Sequence, residues 1–399
     1  MENIKYKLLA LLSHPIQYQA PFFKEISKCP EIDLKVLFYS SWGQDDYKDE
    51  GFEKVLKWDI PVLEGYKSEF LSNISPFPDV STFWGMINPG IIKKIKDEKC
   101  DAIWIHGWNS FTNWLGMFTA FSYNVPVLLR AESNLLDEPV FPKKILKQIG
   151  LKSLFKKVSG FLSIGSYNSR FYKYYGVSKE KIFNVPYCVN NDFFISKAKE
   201  LLPRKSELKK KIGLPADLPV ILFSGKLIDA KCPMDLLKAY TKVFAKYKCA
   251  LVYVGDGKLR KMLEEYAREN NLEFVYFMGF RNQTELPEFY AMSDIFVLPS
   301  SSEPWGLVVN EAMCFGLPVI VSDKVGAGGD LVKEGVNGFI YPSCDVSMLT
   351  EKLNVLLSDR AFIQKMGKVS REIISKWSYR EGVEGILHCL NSVVVKNNN

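Results

Sequence analysis

The sequence lacks the cysteine and histidine patterns that are typical of metal-binding domains. Its eight cysteines are scattered, no two of them form a Cys-x-x-Cys pair, and its three histidines lie far apart. Zinc sites usually show themselves in a sequence as closely spaced pairs of these residues. We therefore expect no zinc site, and the unclustered cysteines favour a reducing compartment.

Long apolar runs are also missing. A membrane-spanning helix needs about 18 or more consecutive apolar residues, and no segment of the chain approaches that length. The apolar segment Leu8–Leu12 ends at Ser13-His14-Pro15, which is too short for the apolar core of a signal peptide. These absences predict a cytoplasmic protein whose association with a membrane, if it has one, is peripheral.

What the chain does contain is the composition of an ordinary globular protein of two domains. Its 399 residues are 47% hydrophobic and 24% charged, with a net charge of +7. A chain of this length exceeds a single hydrophobic core. No nucleic-acid-binding motif accompanies the basic residues, so we expect no nucleic-acid partner.

Short apolar segments alternate with helical patterns along the whole chain. In the second half, strands are predicted near 220–224, 250–254, 273–277, 294–298, 318–321 and 338–341. Alternating strands and helices predict α/β domains with doubly wound parallel sheets. We predict an N-terminal domain at 1–195, a second domain at 196–375, and a last amphipathic helix within 376–399 that returns to the first domain.

The segment from Ser300 to Ser322 combines two glutamates with a predicted helix start. Glu303 follows a predicted strand, where parallel sheets bind ligands, and Glu311 lies eight residues later on the helix. The amides of Gly306, Leu307 and Val308 open that helix, and an uncapped helix start suits a phosphate. Carboxylates beside free amides indicate a ligand with both hydroxyls and phosphates. An ordinary βαβ unit with two solvated glutamates is the alternative.

This segment, with its Pro-Trp-Gly-Leu and Glu-Ala-Met context, resembles the E-x7-E motif of the retaining glycosyltransferases of the family 4 type. The resemblance implies the GT-B fold, in which two Rossmann-like domains flank a cleft. It also implies that Glu303 contacts hydroxyls of the donor sugar and that Glu311 contacts the ribose of the nucleotide. The expected donor is a UDP- or GDP-sugar, a substrate rather than a cofactor.

The loop after the first strand of the second domain resembles the family pattern Gly-Arg-Leu…Lys-Gly. Here it is Gly225-Lys226-Leu227 followed by Lys231, with Lys226 in place of the Arg and Cys232 in place of the Gly. The resemblance assigns the donor diphosphate to Lys226 and Lys231, although lysines in a loop are also often merely solvated. Lysine keeps the positive charge but not the two-pronged hydrogen bonding of arginine.

Polar residues of the first half follow three of its predicted strands. By the resemblance, His106 contacts the donor sugar and pyrophosphate, and the His14-Pro-Ile-Gln-Tyr loop, which holds Gln17, replaces the Gly-Gly turn of many relatives. His14 is either a ligand contact or a packing residue. Five residues are assigned to the acceptor side: His14, Gln17, Trp108, Arg130 and Glu132. Arg130 and Glu132 either reach the acceptor or pair with each other.

Two further segments carry open alternatives. Residues 41–90 are expected to be irregular, and their aromatic residues form either an acceptor wall or an irregular core. Between Glu138 and Glu180 there is no acidic residue, and a basic amphipathic helix is expected there. Its lysines, Lys143–Lys157, either contact an anionic membrane or form a solvated face.

The resemblance therefore implies a retaining glycosyltransferase that acts on a glycan, lipid-linked or small-molecule acceptor. No Asp-x-Asp motif stands at a predicted strand end, so we expect a metal-independent reaction by attack on the same face of the sugar. The alternatives are a nucleotide-sugar epimerase or a phosphorylase on the same fold, or an inactive scaffold of this fold.

Overall fold

The computed structural model describes residues 5–43, 47–49, 54–56, 58–136 and 143–394. The chain divides into two compact units. The first contains Met1–Tyr47, Ile60–Tyr187 and Tyr379–Asn399, and the second contains Lys48–Asp59 and Cys188–Ser378. The division falls at Tyr187 and Ser378, and it assigns Lys48–Asp59 to the second unit.

The first unit is built on a sheet of seven strands in the order β5-β2-β1-β6-β7-β8-β9, and its strand pairs are parallel. The strands are β1 (Tyr6–Leu12), β2 (Ile32–Phe38), β5 (Lys67–Phe70), β6 (Ala102–His106), β7 (Val127–Arg130), β8 (Gly160–Ser163) and β9 (Ile182–Asn184). A separate two-stranded sheet pairs β3 (Tyr47–Asp49) with β4 (Lys54–Leu56).

Helices cover both faces of the seven-stranded sheet. Along β1, Leu9 and Leu11 belong to one hydrophobic cluster, whereas Leu8, Ala10 and Leu12 belong to another. Because successive side chains of a strand point to opposite faces, this alternation shows that the strand is buried on both sides. The helices are α1 (Ala20–Ser27), α2 (Gly90–Glu98), α3 (Phe111–Ser122), α4 (Lys143–Lys157), α5 (Ser166–Tyr174) and α15 (Tyr379–Val393).

The last helix, α15, completes the first unit. It packs against α1, β8 and β9, and the ring of Tyr379 at its start stacks on Phe22 with the ring centroids 5.5 Å apart. Ile386 and Leu390 are fully buried in the same cluster as Leu8. The apolar stripe that was visible in the sequence therefore covers one face of the first sheet.

The second unit repeats the architecture with six strands in the order β12-β11-β10-β13-β14-β15, again parallel. The strands are β10 (Val220–Ser224), β11 (Ala250–Val254), β12 (Val275–Phe277), β13 (Ile295–Leu298), β14 (Val319–Ser322) and β15 (Gly338–Tyr341). The helices are α6 (Asn191–Leu201), α7 (Lys205–Lys211), α8 (Pro233–Phe244), α9 (Arg260–Glu269), α10 (Leu286–Met292), α11 (Leu307–Cys314), α12 (Gly328–Leu331), α13 (Val346–Leu357) and α14 (Arg360–Ile374).

The predicted α/β class and the two doubly wound parallel sheets are confirmed. The prediction that residues 41–90 are irregular was wrong in part, because three short strands lie there. They were missed because short edge strands such as β5 are only partly buried and so show little apolar alternation. None of the described helices combines the length and the apolar character needed to cross a lipid bilayer.

Helix α4 lies at the predicted basic segment. Its residues Leu151, Leu154 and Phe155 are buried in the core of the first unit, whereas Lys152, Lys156 and Lys157 are exposed. The apolar side of this part of the helix therefore packs on the protein. The side chains of Lys143, Lys144 and Lys147 lie outside the described residues.

Candidate functional site

The loops that follow β10 and β13 meet in the second unit through one backbone hydrogen bond and one ion pair. The amide of Ser301 donates to the carbonyl oxygen of Ala230 over 2.9 Å. Beside it, the Lys231 ammonium forms an ion pair with the carboxylate of Glu303, and both side chains are largely buried, at 21% and 12% exposed. The structure thus brings together two residues that the sequence singled out separately.

Helix α11 begins next to this pair without a side-chain cap. Its N-cap is Gly306, no acidic residue lies in its first turn, and within the described chain the amides of Gly306, Leu307 and Val308 donate to no protein acceptor. Gly306 has a φ of +94°, and a Cβ there would lie 3.3 Å from Cγ of Glu303. Glycine is therefore needed both for the conformation and for the close approach of Glu303.

The loop after β14 holds Glu303 in place from its other side. The amide of Glu303 donates to the carbonyl oxygen of Lys324 over 3.2 Å, and the amide of Gly326 donates to the carbonyl oxygen of Glu303 over 3.0 Å. A Cβ at Gly326 would lie 2.0 Å from the carbonyl oxygen of Pro304. These two hydrogen bonds therefore fix the backbone of Glu303 against the loop after β14.

Glu311 lies on α11 as predicted, but its side chain is fully buried. Its carboxylate accepts a hydrogen bond of 2.7 Å from the hydroxyl of Tyr290, on α10. Burying a carboxylate is costly unless it is hydrogen-bonded, so Tyr290 is needed to hold Glu311 in this position.

Lys226 and Cys232 occupy the two positions at which this chain departs from the family pattern. Lys226 directly follows β10 and Gly225, and it is partly buried. Cys232 stands between the short 3-10 turn Asp229–Lys231 and α8, with a φ of +46°. Glycine adopts such an angle without strain, which explains why the family pattern has glycine there.

In the first unit, His14 and His106 lie close together at the carboxyl ends of β1 and β6. Burial, with the charge of His106 nearby, lowers the pKa of His14 to about 4. The ring of His14 packs edge-on against Trp42 with the centroids 4.6 Å apart. The side-chain nitrogen of Gln19 lies 3.4 Å from Nε2 of His106. His14 therefore has packing contacts of its own, and a contact with ligand stays a prediction.

The carboxylate of Glu132 lies near His106 and Tyr187. Its Oε1 lies 3.9 Å from Nε2 of His106 and accepts a hydrogen bond of 2.7 Å from the hydroxyl of Tyr187. Burial by itself raises the pKa of Glu132, but His106, Tyr187 and Arg130 more than offset this effect and lower it. The carboxylate is therefore held in its charged form beside the imidazole.

The other residues assigned to the acceptor side have different surroundings. Arg130 is 3% exposed, and its Nη1 donates to the carbonyl oxygen of Val185 over 2.9 Å. The ring of Trp108 stacks on Phe171 with the centroids 6.1 Å apart. Oε1 of Gln17 is buried and has no hydrogen-bond partner in the described structure. A role of these three residues in acceptor binding stays a prediction.

Most of the second unit matches a known protein family. Residues 204–373 are matched by the family model described as "Glycosyl transferases group 1". This segment is therefore similar to group 1 glycosyl transferases. It contains Lys226, Lys231, Glu303 and Glu311, so the candidate site of the second unit lies inside the match.

Curated relatives match the same half of the chain. An uncharacterized glycosyltransferase of Methanocaldococcus jannaschii is 32% identical over 178 residues, which are 44% of this chain and 45% of that protein. The sulfoquinovosyl transferase SQD2 of Arabidopsis thaliana is 34% identical over 165 residues, which are 41% of this chain and 31% of that protein. The chain thus matches less than half the length of either relative.

The fold of the whole chain is shared with solved structures. The crystal structure of Anabaena Alr3699/HepE in complex with UDP superposes with a TM-score of 0.72 at 20% identity, covering 97% of this chain and 100% of that one. A glycosyltransferase from Rickettsia africae superposes with a TM-score of 0.75 at 16% identity, covering 99% and 100%. The GT-B-like architecture of two Rossmann-like domains is therefore confirmed.

Sequence reasoning missed three residues that contact the candidate site residues of the two units. They are Gln19, Tyr187 and Tyr290, which contact His106, Glu132 and Glu311. Each lies on a different element from the residue it supports, so no spacing in the sequence pairs them. A buried tyrosine or glutamine is also common in ordinary cores, and nothing in the sequence distinguishes these from the rest.

Proposed function

We propose that this chain is a glycosyltransferase that moves a sugar from a nucleoside-diphosphate sugar to an acceptor hydroxyl. The observation that carries the proposal is the Lys231–Glu303 ion pair beside the uncapped start of α11. A cation and free amides suit a diphosphate, and a fixed carboxylate suits sugar hydroxyls. The match to the group 1 family over residues 204–373 supports the same activity.

A UDP- or GDP-sugar is the proposed donor. The structural neighbour from Anabaena was solved with UDP, which favours UDP as the first nucleotide to test. Lys226, Lys231 and the amides of Gly306, Leu307 and Val308 bind the diphosphate, and Glu311 contacts the ribose. Tyr290 donates to Oε2 of Glu311, and the other carboxylate oxygen, Oε1, accepts from the ribose hydroxyls.

Retention of the anomeric configuration through attack on the same face is the proposed course of the reaction. A double displacement needs a carboxylate nucleophile that is free to attack the sugar. Glu303 is assigned to the hydroxyls of the sugar, and Glu311 is buried against Tyr290, so neither is assigned as such a nucleophile. In the proposed step the leaving phosphate oxygen accepts the proton of the attacking hydroxyl, while Lys231 and the helix amides stabilise its charge.

The first unit is proposed to supply the acceptor side. His106, backed by Glu132 and Gln19, contacts the donor sugar, and its neighbour His14 contacts the acceptor together with Gln17, Trp108, Arg130 and Glu132. The acceptor is a glycan, a lipid-linked glycan or a small glycoside. Cytoplasmic location and contact of Lys143–Lys157 with an anionic membrane belong to the same proposal.

The experiment that tests this function is a panel of nucleotide-sugars with and without acceptors. The account predicts that one nucleoside diphosphate raises the melting temperature, because a ligand of the folded state stabilises it by mass action. It also predicts acceptor-dependent release of that diphosphate, with a product whose anomeric proton in NMR shows retention. Inversion would contradict the same-face course, and donor interconversion without an acceptor would indicate an epimerase.

Chelation tests the proposed independence from a divalent metal at the diphosphate. With lysines and amides stabilising the leaving group, turnover should be unchanged by EDTA and should not rise when Mg²⁺ or Mn²⁺ is added back. Activity that is lost with EDTA and restored only by Mg²⁺ or Mn²⁺ would overturn the leaving-group proposal.

A further inference from the structure

Two cysteines that are far apart in the sequence meet beside the loop of Lys231. Cys232 precedes α8, Asp235 lies in the first turn of that helix, and Cys344 follows β15. The two sulfur atoms and a carboxylate oxygen of Asp235 all lie within 4.8 Å of one another. Two thiolates bound to one tetrahedral Zn²⁺ stand about 3.8 Å apart, given Zn–S bonds of about 2.3 Å. The separation of the ligand atoms is therefore compatible with one bound ion.

Within the described residues the carboxylate of Asp235 forms no ion pair and no side-chain hydrogen bond, although the charge of Lys238 acts on it. It is partly buried. A carboxylate taken partly out of water without a partner is unfavourable. A bound cation would compensate for this cost directly.

Tyr341, at the end of β15, gives an independent indication of a ligand at this place. It is 1% exposed, and its buried hydroxyl has no hydrogen-bond partner within the described chain. The hydroxyl lies near Asp235, Cys232 and Cys344. Buried hydroxyls are nearly always hydrogen-bonded, so a partner is expected there.

The chemistry of the donor atoms selects the ion. Mg²⁺ and Ca²⁺ prefer oxygen ligands, whereas thiolates with a carboxylate suit Zn²⁺. We propose that Cys232, Asp235 and Cys344 form a zinc site, with the fourth position taken by water and the hydroxyl of Tyr341 hydrogen-bonded to this shell. The ion ties the loop of Lys231 to the loop after β15. This site goes beyond sugar transfer and is expected whether or not the chain transfers a sugar.

Cobalt is the probe that tests the site, because it reports thiolate ligands by absorbance. Reduced, metal-free protein titrated with Co²⁺ should develop thiolate-to-cobalt charge-transfer bands and the visible bands of a tetrahedral ion, saturating at one equivalent. Zn²⁺ should displace the cobalt. Because the thiols bind as thiolates and release protons, the affinity should also rise with pH.

Variants assign the ligands. Cys344→Ser and Cys232→Ser should each about halve the charge-transfer bands, and with Asp235→Asn they should weaken zinc binding by on the order of 100-fold or more. Tyr341→Phe keeps all three ligands and should weaken binding about 10-fold, as expected for the loss of an outer-shell partner. Cys29→Ser is the matched control, since Cys29 is the other partly exposed cysteine and belongs to the first unit.

Two outcomes would overturn the proposal. One is reduced protein that binds no Co²⁺ or Zn²⁺ at one equivalent, including the case in which Cys232 and Cys344 merely form a disulfide on oxidation. The other is a charge-transfer spectrum that Cys344→Ser leaves unchanged. Circular dichroism of each variant confirms folding, and Tyr341→Phe keeps the test decisive if a cysteine variant fails to fold.

Discussion

The ammonium of Lys231 forms an ion pair with the carboxylate of Glu303, which joins the loops after β10 and β13. Both side chains are mostly buried, so their attraction is screened less than that of a surface pair. In the proposed function Lys231 binds the donor diphosphate, and the carboxylate of Glu303 accepts hydrogen bonds from the sugar hydroxyls. The pair therefore holds both side chains ready in the free protein and is rearranged when the donor binds.

Lys231 is expected to serve both binding and chemistry. Lys231→Ala should weaken nucleoside diphosphate binding and also lower kcat, because the charge of the leaving group grows in the transition state. Calorimetry with the diphosphate and initial rates with the nucleotide-sugar measure the two effects. Lys238→Ala is the control, since Lys238 is exposed on α8. A Lys231→Ala variant with wild-type affinity would contradict the assignment.

Glu311 and Tyr290 are expected to behave as a unit. Tyr290→Phe leaves the buried carboxylate without this hydrogen bond and should lower the free energy of unfolding by roughly 1–3 kcal/mol. Glu311→Ala should raise the donor KM more than it lowers kcat, as expected for uniform binding of the ribose. Urea unfolding and steady-state kinetics measure these effects.

Tyr276→Phe is the control for Tyr290→Phe, because the hydroxyl of Tyr276 makes only a long contact of 3.4 Å at the surface. A Tyr290→Phe variant as stable as the control would show that the hydrogen bond contributes little. A fall in kcat alone for Glu311→Ala would contradict its assignment to the ribose.

The pKa of His14 predicts a specific loss of stability in acid. It is about 4 in the folded protein, against 6.5 as the ordinary value, so the unfolded chain binds a proton more readily. The contribution is fully present above pH 6.5 and is lost as the pH falls from about 6.5 to 4, by on the order of 2–3 kcal/mol.

His14→Gln removes this titration. Urea unfolding at pH 7.5 and pH 4.5 should show a smaller loss of stability in acid for the variant than for the wild type. Parallel losses in both proteins would contradict the assigned shift.

If helix α4 binds to a membrane, we expect the binding to depend on the charge of its lysines and not on insertion of apolar side chains. Because Leu151, Leu154 and Phe155 pack on the protein, any binding to anionic vesicles should be electrostatic and should fall steeply with salt. Replacing four lysines of Lys143–Lys157 with Gln should abolish co-sedimentation. The control replaces Lys238, Lys242, Lys246 and Lys248, which are exposed elsewhere. If the wild type does not co-sediment with the vesicles at low salt, the membrane proposal is wrong and the lysines of α4 form a solvated face.

The sheets were predictable because buried parallel strands have a strong local signal. Val220–Ser224 and Ala250–Val254 were located to the residue, since continuous apolar runs between turn residues leave few alternatives. The short strands β3, β4 and β5 carry no such runs. Helix α15 was recognisable from its apolar stripe, but the face of the sheet that it covers depends on tertiary packing.

The candidate site was predictable only as far as single loops. Glu303 and Lys231 were identified from separate segments, but their ion pair depends on the adjacency of β10 and β13 in the sheet order. The sequence did not indicate the zinc site proposed at Cys232, Asp235 and Cys344, because it shows no closely spaced cysteine pair. Cys232 and Cys344 lie close together because β15 belongs to the same sheet as β10. Their spacing in the sequence does not indicate this proximity.

The most direct test of the central claim separates donor binding from sugar transfer at Glu303 and His106. The measurement is kcat with the nucleotide-sugar, set beside calorimetric affinity for the free diphosphate, in Glu303→Ala and His106→Ala. The account predicts near wild-type diphosphate affinity with kcat lower by on the order of 10²-fold or more, as for lost transition-state contacts. Glu264→Ala, an exposed glutamate on α9, should match the wild type. Near wild-type turnover of either variant would contradict the claim.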